Sequence, residues 1–99
     1  MRIRFQEIGG FVPVFKGCEL DTDTMSAADA ARLQVLIEES GILTVTAGSV
    51  SSARDLALYV FTLDTGEGSR EVSFDQLSVP ASVKPLLAFL LDRSRDLLP

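Results

Sequence analysis

From Arg2 onward the chain alternates, with Ile3 and Phe5 apolar between the charged Arg2 and Arg4. This period of two predicts a strand with Ile3 and Phe5 toward a core and both arginines toward water. Gly9, Gly10 and Pro13 break the pattern. Glycine opens backbone angles that other residues avoid, and proline fixes its own and cannot donate to a ladder, so residues 9 to 13 read as a turn or irregular loop. A second strand is expected from about Val14 to Asp21. Val14, Cys18 and Leu20 share one parity there, interrupted by Lys16, while Phe15, Gly17 and Glu19 share the other. Phe11 has the parity of Phe15, so two aromatics would sit near an exposed hairpin end. The competing arrangement folds the loop back over one of them, or lets a bulge at Gly17 reset the parity.

Ser26 followed three residues later by Asp29 resembles a capping box, and the acid suits the positive end of a helix dipole. Ala30, Leu33, Leu36 and Ile37 then recur at spacings of three and four, with Arg32, Glu38 and Glu39 mostly off that face, and Gly41 is placed as the C-terminal cap. Ile42 to Thr46 is β-branched enough for a short strand or extended arm, and Ala47 to Asp55 reads as a small polar loop. Leu56 to Leu63 is apolar on both parities, which predicts a central strand covered on one face and partly shielded on the other. Asp64 to Ser69, with Gly66 and Gly68, closes a hairpin into Arg70 to Gln76, where Val72 and Phe74 alternate with Glu71, Ser73 and Asp75. Pro80 and Pro85 bracket the start of a last helix, whose apolar face is Val83, Leu86, Leu87, Leu90 and Leu91. Asp92 to Pro99, with Leu97 and Leu98, is expected to fray. The order β-β-α-β-β-α predicts one domain over residues 1–99, an α+β two-layer sandwich with a four-stranded antiparallel sheet and two helices.

Composition narrows the chemistry by subtraction. The 99 residues contain no histidine and one cysteine, so the usual residues of acid–base, nucleophilic and zinc chemistry at neutral pH are missing, and the chain is expected to bind rather than catalyse. The net charge of -5 has the wrong sign for gripping phosphate backbones, which sets nucleic acid aside. Cys18 has no intramolecular partner for a disulfide. Asp21, Asp23 and Asp29 suggest a calcium loop, but the segment lacks the glycine and terminal glutamate of an EF-hand, and helix-start chemistry explains them better. Ser49, Ser51 and Ser52 have no base to activate them. A carboxylate pair such as Asp64 with Glu71 or Asp75 would flank a hairpin turn in solvent, with no pocket to raise a pKa. Gly66 and Gly68 precede a strand, not a helix, so they make no phosphate loop. No cofactor or resident metal is expected. The opening MRIRFQEIGG offers no continuous apolar run of a secretory signal. Leu86 to Leu91 is far short of a membrane span. Together with the lone thiol these point to cytoplasmic residence, with no membrane partner. A monomer or weak dimer is expected, and an uncovered sheet face or edge strand leaves a dimerising scaffold open.

Four segments in order, IRFQEIGGF, CELDTDTMSAADAARLQVLIEES, LALYVFTLDTGEGSREVSF and VPASVKPLLAFLL, resemble emfourin, the family of small protein inhibitors of protealysin, a thermolysin-like zinc metalloprotease. The resemblance runs from about Ile3 to Leu91. Its most specific marks are the GGF at Gly9, Gly10 and Phe11, the ELDTD at Glu19 to Asp23, and the AARL at Ala30 to Leu33. After the GGF such proteins often carry a small residue and a basic pair, whereas this chain has Val12, Pro13, Val14, Phe15 and Lys16, a departure that bears on target choice more than on fold. The resemblance implies reversible, stoichiometric inhibition of a protealysin-like metalloprotease by occupation of its cleft, with Gly9, Gly10, Phe11, Val12 and Phe15 as the contact residues. It also implies a target preference for a bulky apolar side chain just beyond the scissile bond, which Phe11 or Val12 would satisfy. A glycine-rich turn approaches a confined site closely and an aromatic anchor carries much of a binding energy, so the residues suit that role. The plain alternative is that the glycines only turn a hairpin and Phe11 caps the core edge. A non-catalytic interaction module for a partner other than a protease is the competing function.

Overall fold

The computed structural model describes residues 1–9, 14–44 and 57–96. β1 (Arg2–Gly9) is the inner strand, paired antiparallel along its whole length with β2 (Val14–Asp21) on one side and β3 (Ala57–Asp64) on the other. β4 (Ser69–Asp75) pairs with β3, and a two-residue strand β5 (Arg95–Asp96) pairs with β2, which gives the order β4-β3-β1-β2-β5. Two helices, α1 (Ala27–Ser40) and α2 (Lys84–Asp92), complete the α+β arrangement in the predicted order β-β-α-β-β-α.

The alternation predicted for β1 decides the core. Ile3 and Phe5 are fully buried, and their cross-strand partners Leu63 and Phe61 are fully buried with them. Val72 and Phe74 extend this face onto β4, and Leu33 and Ile37 of α1 with Val83 just before α2 and Leu86, Phe89 and Leu90 within it close it from the helix layer. Each such side chain withdrawn from water stabilises the fold by about 1.5–3 kcal/mol before chain entropy is counted. Phe5, Phe61 and Phe74 form a ring series, with centroids 5.3 Å apart for Phe5 and Phe61 and 6.1 Å for Phe61 and Phe74. Phe89, absent from the predicted apolar face of α2, is 6 % exposed, and the Arg93 guanidinium lies 3.6 Å from its ring centre. Arg93 also reaches Asp29 of α1 at 3.7 Å, joining the end of one helix to the start of the other.

Helix ends follow their sequence signals. Ser26 Oγ accepts a hydrogen bond from the Asp29 amide at 3.2 Å, and Gly41 is the left-handed C-terminal cap. Pro85 sits in the first turn of α2, where a missing donor costs little. Beyond α1 the expected strand from Ile42 does not form in the described residues. Ile42, Leu43 and Thr44 lie in a turn, closed by Thr44 N–H to Gly41 O at 2.9 Å and by Ile42 N–H to Ser40 Oγ at 3.1 Å. Ile42 is fully buried there, so its apolar character serves the core without a ladder. Residues 45–56, including Ser49, Ser51 and Ser52, lie outside the described residues.

The end of the chain also departs from expectation. Where fraying is predicted after Asp92, Ser94 turns back by donating its hydroxyl to Leu90 O at 2.8 Å, and Arg95 and Asp96 pair with Gly17 and Lys16 of β2. The outer edge of β2 offers unpaired backbone donors and acceptors, and the tail satisfies some of them, so a two-residue fifth strand joins the four predicted. Leu97 and Leu98 lie outside the described residues.

The bulge considered at Gly17 is absent. The β1–β2 ladder runs unbroken from Arg2 opposite Asp21 to Gly9 opposite Val14. Gly17 is required for a different reason: a Cβ there would overlap the Phe5 carbonyl oxygen, and it would also meet the Phe5 carbonyl carbon at 3.0 Å. All of these are backbone atoms of the inner strand and cannot swing aside. Gly17→Ala is therefore expected to destabilise the fold by at least about 1–3 kcal/mol, the usual range for overpacking. Urea denaturation followed by circular dichroism checks this, and a midpoint unchanged from the wild type would refute it.

Candidate functional site

The register brings four chain segments to one end of the sheet. Gly9, the last residue of β1, pairs with Val14 on one side and with Ala57 on the other. Ala57 in turn bonds Gln76, accepting from its backbone N–H at 3.0 Å and donating its own N–H to the side-chain oxygen at 2.8 Å. The end of β1, the start of β2, the start of β3 and the residues after β4 thus lie side by side. Residues 10–13 join the first two of these.

Of the predicted contact residues, Gly9 is placed directly. Its φ of +80° lies in the left-handed region, and a Cβ would meet nothing within 4 Å. The residue is glycine for its backbone angle and not for lack of room, the opposite case to Gly17. Gly10, Phe11 and Val12 lie outside the described residues, as does Pro13. Phe15 is in β2 at the register position across from Ile8.

Under this end of the sheet, on the parity of Ile3 and Phe5, the core finishes in polar groups. Lys16, which interrupts the apolar parity of β2, faces Glu7 of β1, with Nζ 3.3 Å from Oε1. Tyr59 is the partner of Glu7 on β3. Burial first, and then the nearby Glu7 carboxylate, push the Tyr59 phenol above its ordinary value of 10.0. The Tyr59 ring stacks on Phe5 with centroids 6.0 Å apart. The interruption at Lys16 is thus a cross-strand ion pair that seals the core below the turn.

After β4 the chain makes a tight turn. Asp75 Oδ1 accepts the Leu77 amide at 2.9 Å, Ser78 Oγ accepts the Asp75 amide at 3.2 Å, and the Ser78 amide bonds Asp75 O at 3.1 Å. Asp75 is 4 % exposed and Leu77 is 78 % exposed. The sequence pattern assigned Leu77 no role. Its only signal is an apolar residue between polar turn formers, which also describes many ordinary loops.

Of the other chemical candidates, Asp64 and Glu71 are both exposed, with Glu71 paired to Thr62 two residues from Asp64. Asp64 pairs with Ser69, whereas Asp75 pairs with Leu58, six residues away along β3 and so ~20 Å distant at the rise of a strand. Asp64 accepts the Gly66 amide at 3.1 Å in the hairpin turn. Asp21 accepts the Asp23 amide at 2.9 Å and reaches Arg2 at 3.7 Å, while Asp29, in the first turn of α1, meets Arg93 at 3.7 Å, so Asp21 and Asp29 serve the fold separately. Among the described residues no group of three or more His, Cys, Asp and Glu side chains converges, and no helix is long and apolar enough to cross a membrane. An open hollow of about 480 Å³ lies at the opposite end of the sheet between Met1, Leu43, Leu63 and Arg70.

A family model for Emfourin matches residues 5–91. That is most of the chain, and the chain belongs to the Emfourin family. No match was found among curated proteins or among solved structures.

Cys18 is half-buried on β2, with its thiol 3.6 Å from Leu90 O. Burial pushes it above its ordinary value of 9.0, against the lowering effects of Ser94, Arg93 and Arg95. Cys18 and Tyr59 both hold their protons more tightly folded than unfolded, so their contribution is complete below pH 9 and is lost as pH rises through the folded values. Stability is expected to begin falling above about pH 9, the ordinary thiol value, with the first part of the fall absent in Cys18→Ala. Urea midpoints from pH 7 to 10.5 check this, and coincident pH profiles for the two proteins would refute the assignment to Cys18.

Proposed function

We propose that this member of the Emfourin family is a proteinaceous inhibitor of a thermolysin-like, protealysin-like zinc metalloprotease, and that it blocks the active-site cleft reversibly with the turn after Gly9. The family match over residues 5–91 carries the reading. The placement of Gly9 supports the choice of the turn. Its left-handed backbone ends β1 at one end of the sheet, and eight paired residues on each flanking strand precede and follow residues 10–13. A loop anchored in that way loses little entropy on binding, which favours a tight complex. Gly10, Phe11 and Val12 are then the residues that enter the cleft, with Phe11 or Val12 in the apolar subsite beyond the scissile bond and Phe15 beside them. The protein is not an enzyme in this reading, and it acts in the cytoplasm as a monomer or weak dimer, before the protease is exported. The zinc is the target's.

Titration against a purified protealysin-like protease with a short fluorogenic peptide tests this. Activity is expected to fall in proportion to added inhibitor until equivalence, with a serine protease unaffected. Phe11→Ala is expected to raise the inhibition constant at least tenfold, as truncation of an aromatic anchor does. No loss of activity at micromolar excess of folded, uncleaved protein would overturn the reading and leave an interaction module for another partner.

A further inference from the structure

Leucine 77 is the most exposed large apolar side chain among the described residues, at 78 %, and Val35 on α1 follows at 49 %. Single exposed leucines are common and mean little alone. The placement and the mounting of this one set it apart. Ala57 pairs with Gly9 and bonds Gln76, so Gln76 is two strand spacings, or ~10 Å, from Gly9, and Leu77 is the next residue. A standard interface covers about 800 Å² on each partner, a patch roughly 30 Å across, so one protein seated on the Gly9 turn would reach Leu77 as well. The side chain is also held out by its own turn. The nearly buried Asp75 accepts the Leu77 amide, and Ser78 closes on both the N–H and the C=O of Asp75. The hydrogen bonds of Asp75 and Ser78 thus shape the turn on which an apolar side chain stands in water.

We infer that Leu77 is a second anchor for the inhibited protease, inserting into an apolar recess on the rim of the cleft while the turn after Gly9 occupies the cleft itself. This rests on the inhibitor reading above. Two separate anchors fix the orientation of a complex, and most of the effect of losing one falls on dissociation and not on association. Val35, on a helix and without such a turn, takes no part.

The test compares wild type, Leu77→Ser, Val35→Ser and Phe11→Ala by inhibition constant and by dissociation rate against the same protealysin-like protease, with urea midpoints measured for all four. The expected result is an inhibition constant raised about tenfold or more for Leu77→Ser, carried mainly by faster dissociation, with the urea midpoint and the Val35→Ser constant unchanged. Equal inhibition by Leu77→Ser and wild type, or an equal loss in Val35→Ser, overturns the second anchor and leaves the inhibitor reading standing. Failure of the wild type to inhibit overturns both.

Discussion

Every residue of β1 from Arg2 to Gly9 has a partner on each side, and this double ladder is the constraint from which the rest of the molecule follows. Because strand side chains alternate, one register decides at once that Ile3, Phe5, Phe61 and Leu63 share a face and that Arg2, Arg4, Glu19 and Asp21 share the other. Arg4 and Glu19, 3.3 Å apart, and Arg2 and Asp21, 3.7 Å apart, are exposed or partly exposed and contribute little energy, but a slip by one residue would bury them and expose the phenylalanines. The same register aligns Gly9, Val14, Ala57 and Gln76 at one end. The candidate binding surface is therefore a consequence of the pairing that makes the core.

The inner strand also explains the sharpest local requirement. At Gly17 the backbones of β1 and β2 leave no space for a Cβ, and the neighbour that would be struck belongs to a strand already held from both sides. Along the same ladder, Glu7 and Lys16 replace apolar packing with an ion pair, with Tyr59 across from Glu7. The core stops before the sheet does, and the last pair, Gly9 with Val14, carries the turn beyond it.

Parts of the candidate site were legible in the sequence to different degrees. Gly9 was readable because adjacent glycines after an alternating strand have few explanations other than a turn. Lys16 was visible as an interruption but not as a partner of Glu7, since cross-strand neighbours nine residues apart depend on the register and not on spacing. Leu77 was invisible. Whether a leucine in a polar loop folds inward or stands in water depends on where its neighbours' hydrogen bonds go, and here the side chain of Asp75 is committed to the amide of Leu77 itself.

Local periodicity and end signals determined, without any tertiary information, that β1 alternates, that α1 begins at Ser26 and ends at Gly41, that α2 starts between Pro80 and Pro85, and that two hairpins and two helices form an α+β fold. These are properties of neighbours within a turn or two of one another, which the sequence states directly. Tertiary structure alone decided that Ile42 is buried in a turn and not a strand, that Arg95 and Asp96 cover part of the β2 edge, and that Phe89 joins the core under Arg93. It also decided that Gly17 is required by contact and Gly9 by angle. Each of these depends on atoms brought together from distant parts of the chain, and no local pattern encodes which of them will meet.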